Sequence, residues 1–214
     1  MANQHFLDKI TKTTLADAQT SLNLSESVAQ IAALAPYIAT SARPYQVQKE
    51  KQLLEPRTAK LTRYTTQLTD PIYSLELSSR VKDVKEALQQ LMSNVEQELY
   101  IREDLMAQQF SLDGLNKYPF GSAFVGAFTS NPTQLSQGWI EQVLSLYQNN
   151  TNGEQERNTI LPVFAALARG NQLIKELHQQ NAFLLASIRA QSDRMAEYVN
   201  NIVLTTIWRK TFSR

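Results

Sequence analysis

Residues 70–95 read DPIYSLELSSRVKDVKEALQQLMSNV, and this stretch decides the fold. Asp70 is a good helix N-cap, and Pro71 suits the first helical position, where its missing N–H would be unpaired in any case. Apolar residues then alternate by four and three, at Leu77, Val81, Val84, Leu88, Leu91 and Val95. This is the spacing of a coiled-coil seam, so it predicts a long helix that packs against other helices. The seam weakens at Glu98 and Arg102, resumes at Leu105 and ends near Asp113-Gly114.

Two helices are predicted before this one. The first extends from about residue 5 to about residue 35, where Pro36 is expected to end it. Its approximate stripe is Leu7, Ile10, Leu15, Ala18, Leu22, Val28, Ile31 and Leu34. The second follows Pro44 and carries apolar residues seven apart, with a kink or a break expected at Pro56. These residues are Val47, Leu54, Leu61 and Leu68.

The last predicted helix is the longest, from about residue 155 to about residue 210. Its seven-residue spacing extends through Leu167, Ile174, Asn181, Ile188, Met195 and Ile202, with Leu177, Leu184 and Tyr198 in companion positions. Asn181 is the polar residue on this seam. It either sets the register of helix packing or marks a solvent-exposed break in the stripe.

The fold predicted from these patterns is all-α: an elongated bundle of three to four long amphipathic helices with a small loop and helix appendage. All six glycines lie at or after Gly114, so the first 113 residues lack the residue that weakens helix interiors. We expect a single domain, in which residues 1–110 and 154–214 form the bundle and residues 111–153 form the appendage.

Composition excludes several classes of protein. The net charge of +1 argues against a dedicated nucleic-acid binder, which needs a strong basic excess. The chain has no cysteine, and therefore no disulfide and no thiolate metal site. It also lacks a run of about 20 apolar residues, the length that a membrane-spanning helix needs. The compartment stays open, because these properties fit cytosol, periplasm and virion equally.

The chemistry of the sequence points away from an enzyme. Only two histidines occur, His5 and His178, and we expect both to be structural. Glu96 and Glu103 share one predicted helix face, which is more typical of a solvated face than of a catalytic pair. The sequence lacks a phosphate-binding glycine loop and a Gly-x-Ser-x-Gly elbow. We therefore predict no catalytic residue, no cofactor, no metal and no small-molecule substrate.

One segment is unusual, because no charged residue occurs between Lys117 and Glu141. Its aromatic and apolar residues are the candidate contacts with a partner or a membrane: Tyr118, Phe120, Phe124, Val125, Phe128 and Trp139. The alternative is that Phe120, Phe124 and Phe128 fold back and plug one end of the bundle. Two small basic patches, of which structural roles are more typical, could also meet an anionic surface: Arg57, Lys60 and Arg63, and Arg209, Lys210 and Arg214.

The function predicted from the sequence is that of a non-enzymatic structural or assembly component of a larger complex. Examples are a bacterial secretion or conjugation apparatus and a phage particle. Its partners would be other proteins of that assembly, or copies of itself. The alternative is a helical protein that binds a lipid surface through residues 118–128 and the basic residues near position 210.

Overall fold

The structure is a computed structural model that describes residues 2–112 and 154–212. Within these ranges the chain forms α1 (Ala2–Ala39), α2 (Pro44–Gln67), α3 (Pro71–Leu112) and α4 (Glu154–Phe212). Every described residue outside the links at 40–43 and 68–70 is helical. The all-α prediction is confirmed: the protein is a bundle of packed helices. The predicted appendage, 111–153, lies almost wholly outside the described residues.

The helix boundaries follow from local chemistry. Asp70 caps α3 as predicted, because its Oδ1 accepts hydrogen bonds from the backbone N–H groups of Ile72 at 2.8 Å and Tyr73 at 3.2 Å. At the start of α2, the side chain of Gln46 accepts hydrogen bonds from the backbone N–H groups of Ala42 and Arg43, at 2.8 and 3.2 Å. These bonds satisfy donors that a helix terminus otherwise leaves unpaired.

The predicted stop of α1 at Pro36 and the predicted break of α2 at Pro56 were both wrong, while a kink at Pro56 stays a prediction. Helix α1 continues one turn beyond the predicted stop and contains Pro36, because Ile38 in that extra turn is fully buried. Burying an isoleucine side chain contributes about 1.5–3 kcal/mol, enough to offset much of the lost backbone hydrogen bond. Helix α2 is likewise unbroken across Pro56, since Leu54 and Leu61 on either side hold it against the core.

The chain divides into two compact units. Unit 1 contains residues 1–95 and 181–214, and unit 2 contains residues 96–180, so that α3 and α4 contribute to both. In unit 1 the seven-residue stripe of α2 is buried, and so is the seam of α3 as far as Val95. In unit 2, α3 and α4 bury a smaller apolar set: Leu99, Leu105, Leu167, Ile174 and Leu177.

The predicted stripes were correct for α2, α3 and most of α4, but in α1 they were correct only for Ala18, Val28 and Ile31. All six residues of the α4 seam are buried, including Asn181, whereas Leu184 and Tyr198 are only half-buried. In α1, Ile10, Leu15 and Leu22 are exposed. Among residues 9–39 of α1, the buried ones are Asp17, Ala18, Ser21, Leu24, Val28, Ile31, Ala35 and Ile38.

Candidate interaction surface

The six contact residues predicted from the sequence all lie between positions 118 and 139, outside the described residues. Their role in binding a partner or a membrane stays a prediction. The other candidates fall within the described ranges, apart from Arg214 of the second basic patch: the polar residues of the seams, His178, the acidic pair and the remaining basic residues. The structure places each of these in a definite environment.

The described carboxylates and histidine form one notable cluster, in unit 2. Glu98 is buried on α3, and its Oε1 accepts hydrogen bonds from Arg102 Nε at 2.8 Å and Arg102 Nη2 at 2.7 Å. His178 Nε2 on α4 lies 2.8 Å from the same oxygen. Glu96 and Glu103 are exposed, as predicted.

This cluster fits a helix-packing contact better than a catalytic site. A buried carboxylate is costly unless hydrogen bonds and a cation compensate it, and Arg102 and His178 do so here. The apolar seam of α3 is therefore interrupted at Glu98 because Glu98 contacts a polar residue of α4, His178. Sequence reasoning saw the interruption but missed its partner, because the two residues are 80 positions apart.

A second buried polar contact lies in unit 1. Asn94 Nδ2 on α3 donates a hydrogen bond of 3.0 Å to Asn181 Oδ1 on α4, and Gln90 Nε2 donates one of 2.8 Å to Asn94 Oδ1. Asn94 is 2% exposed and Asn181 is 4% exposed. Of the two interpretations of Asn181, the solvent-exposed break is wrong. The register-setting interpretation fits a polar pair in a helix interface.

An open groove lies between α2 and α3, with a volume of about 330 Å³. Its rim carries the long side chains of Lys51, Glu55 and Lys85, and Leu54 and Leu88 contribute to its lining. Lys85 Nζ donates a hydrogen bond to Thr62 Oγ1 across the two helices. Flexible lysine and glutamate side chains do not give the fixed polar groups that orient a small ligand, so this groove is a weak ligand site.

The most informative feature is the end of unit 1 at which α2 turns into α3. Asp17 of α1 is 3% exposed, and its carboxylate accepts three hydrogen bonds from the 68–70 link. The donors are Thr69 N at 2.8 Å, Thr69 Oγ1 at 2.7 Å and Asp70 N at 2.9 Å. Asp17 therefore holds the link against α1. Its partners are more than fifty residues away in the sequence, so no local sequence pattern predicts these contacts.

Helix α4 meets the same end of unit 1. Gln191 Nε2 donates a hydrogen bond of 3.3 Å to Asp83 Oδ2, and Tyr198 contacts Tyr73 edge to face with ring centroids 6.4 Å apart. The later residue of α4, Tyr198, contacts the earlier residue of α3, Tyr73. The two helices are therefore antiparallel. The turns of α4 after Tyr198 consequently extend beyond the start of α3 at Pro71.

The environment of Tyr198 is mainly apolar and acidic. Burial raises the pKa of the Tyr198 phenol, and the negative charge of Glu76 raises it further. Arg80 acts in the opposite direction, with its guanidinium carbon 5.6 Å from the centre of the Tyr198 ring. The neutral phenol therefore belongs to the packing between α3 and α4 at this end.

Around this end, large apolar side chains stay exposed on three helices. We define the end surface by eight of them, each 43% exposed or more: Ile10, Leu15, Leu22, Ile72, Leu75, Leu204, Ile207 and Trp208. Ile72 and Leu75 are 72% and 77% exposed, although each lies in the first two turns of a helix whose opposite side is core. Apolar residues scattered singly are ordinary, but eight of them around one link form a candidate interaction surface.

The basic patches differ in their surroundings. On α2, Arg57 Nη1 donates a hydrogen bond of 3.2 Å to the backbone oxygen of Leu53, and Arg63 lies over the Tyr64 ring at 5.9 Å. Arg209 and Lys210 are exposed in the last turns of α4, directly after Ile207 and Trp208. The patch at Arg209 and Lys210 therefore adjoins the end surface. In the patch on α2, Arg57 and Arg63 instead contact residues of their own helix.

Three further observations bear on this site. In residues 2–112 and 154–212, no helix is long and apolar enough to cross a membrane. The same described part of the chain contains no group of three or more His, Asp or Glu side chains placed to hold a metal ion. No protein-family model, no curated protein and no solved structure matches this chain.

Proposed function

We propose that this protein is a non-enzymatic structural or assembly component of a larger complex, and that it docks through the end surface. The observation that carries the proposal is the set of eight exposed apolar side chains around the 68–70 link. Apolar side chains that are exposed close together on a protein surface often mark an interaction site, and association would remove them from water.

The support beneath the end surface suits a docking role. Asp17 fixes the link to α1, and the contact between Tyr73 and Tyr198 fixes α3 to α4. Exposed side chains on a rigid framework lose less conformational freedom when a partner binds than side chains on a mobile loop do. Burial of these apolar side chains by a partner is therefore opposed by only a small loss of conformational entropy.

The buried polar groups support a structural rather than a catalytic role. The carboxylate of Asp17 accepts three hydrogen bonds from the 68–70 link. Glu98 Oε1 accepts a hydrogen bond from Arg102 one turn along α3 and contacts His178 on α4. A general base needs a lone pair directed at a substrate, within hydrogen-bond reach of the proton that it removes. These carboxylates direct their oxygens at the protein itself. A secretion or conjugation apparatus and a phage particle remain the kinds of assembly that we propose as settings.

Site-specific photo-crosslinking in the cells that produce the protein tests this proposal. A photo-reactive phenylalanine analogue replaces Leu75, which is 77% exposed in the end surface. The matched control places the same analogue at Ser93, an exposed position of the same helix. Because 18 residues make five turns, Ser93 lies on the same side of α3, roughly 27 Å further along.

We expect crosslinks to one or a few defined proteins from position 75 and none of these from position 93. Thermal melting of both variants checks that the fold is kept. Equal crosslinking from the two positions, or none from position 75 while position 93 reacts, would overturn the assignment of the docking surface.

A further inference from the structure

We draw no further inference here: the strongest candidate, the exposed apolar end surface with the neighbouring Arg209 and Lys210 on α4, is the docking surface already described, and nothing in residues 2–112 and 154–212 shows whether a second copy, another protein or a lipid surface covers it.

Discussion

Replacing Asp17 tests how strongly the 68–70 link is fastened to α1. The carboxylate accepts hydrogen bonds from Thr69 N, Thr69 Oγ1 and Asp70 N, at 2.8, 2.7 and 2.9 Å. Hydrogen bonds to a charged group contribute about 1.5–3 kcal/mol each when fully buried. Asp17 is buried but the link is partly exposed, so water can replace some of what is lost. We therefore expect Asp17→Ala to lower the free energy of unfolding of unit 1 by about 3 kcal/mol.

Asp17→Asn should cost less, for a geometric reason. If the amide oxygen faces Thr69 N, the amide nitrogen can still donate to the Thr69 hydroxyl, but Asp70 N–H loses its acceptor. If the amide is flipped, Thr69 N–H loses its acceptor instead. Either orientation leaves one backbone donor to be satisfied by water, which costs about 1–2 kcal/mol.

The measurement is urea unfolding followed by circular dichroism, with Asp83→Ala as the control. Asp83 is an exposed carboxylate that accepts a hydrogen bond of 3.3 Å from Gln191, so its loss should change stability by less than about 0.5 kcal/mol. The expected order of stability is wild type and Asp83→Ala, then Asp17→Asn, then Asp17→Ala. If Asp17→Ala were as stable as the control, the link would not depend on this carboxylate and the reasoning would be refuted.

Three further predictions concern packing and pH. Leu88→Ala should lower stability by about 2–5 kcal/mol, because Leu88 is 1% exposed, and Leu184→Ala should lower it by less, because Leu184 is only half-buried; equal urea midpoints would contradict this. Gly170→Ala should destabilise by about 1 kcal/mol, because the new Cβ would lie 2.7 Å from Leu105 Cδ2, and this overpacking outweighs the gain in helix propensity. In a Leu105→Ala background the same change should stabilise, so additive effects in the double-mutant cycle would refute the close contact. Because the pKa of Tyr198 is raised in the folded state, the neutral phenol is favoured by folding, and stability should fall as pH rises from about 10 towards the raised value. Tyr198→Phe should lose that part of the alkaline destabilisation, as measured by urea midpoints at a series of alkaline pH values.

The sequence predicted those features of the fold that depend on the residue spacing within a single helix. The seams of α2 and α3 repeat every seven residues or alternate by four and three, and a stripe of that kind faces the core in any helical bundle. Burial of these residues therefore followed from spacing. The first half of α1 broke the rule for two reasons. Leu15 lies on the side of the helix opposite the buried Asp17, Ser21 and Leu24. Ile10 is on the buried side, seven residues before Asp17, but it lies beyond the link to which Asp17 is bound. A stripe is buried only where other helices are present to cover it.

The candidate site could not be predicted from such patterns. Whether the turns of α4 from Leu204 to Trp208 extend beyond Pro71 depends on contacts between residues far apart in the sequence. Sequence reasoning did identify Arg209 and Lys210 as a basic patch. It placed the apolar contact elsewhere, at residues 118–139, which lie outside the described residues. The signal that could have pointed to the end surface was Ile207-Trp208 beside Arg209-Lys210, an apolar and aromatic pair next to two cations.

The buried amides connect the packing of unit 1 to its exposed surface. Asn94 donates its hydrogen bond to Asn181 in one register of α3 against α4 only. Sliding α4 by one heptad would keep apolar residues on the seam, but it would break the hydrogen bond between Asn94 Nδ2 and Asn181 Oδ1 at a cost of about 1–3 kcal/mol. The apolar seam alone thus allows several registers, and the amide pair selects one. That choice brings Tyr198 to Tyr73 and places the turns from Leu204 to Trp208 beyond the start of α3. The α4 side chains of the end surface therefore lie beyond the start of α3 because two polar residues, on seams otherwise built mainly of apolar residues, fix the register of the two helices.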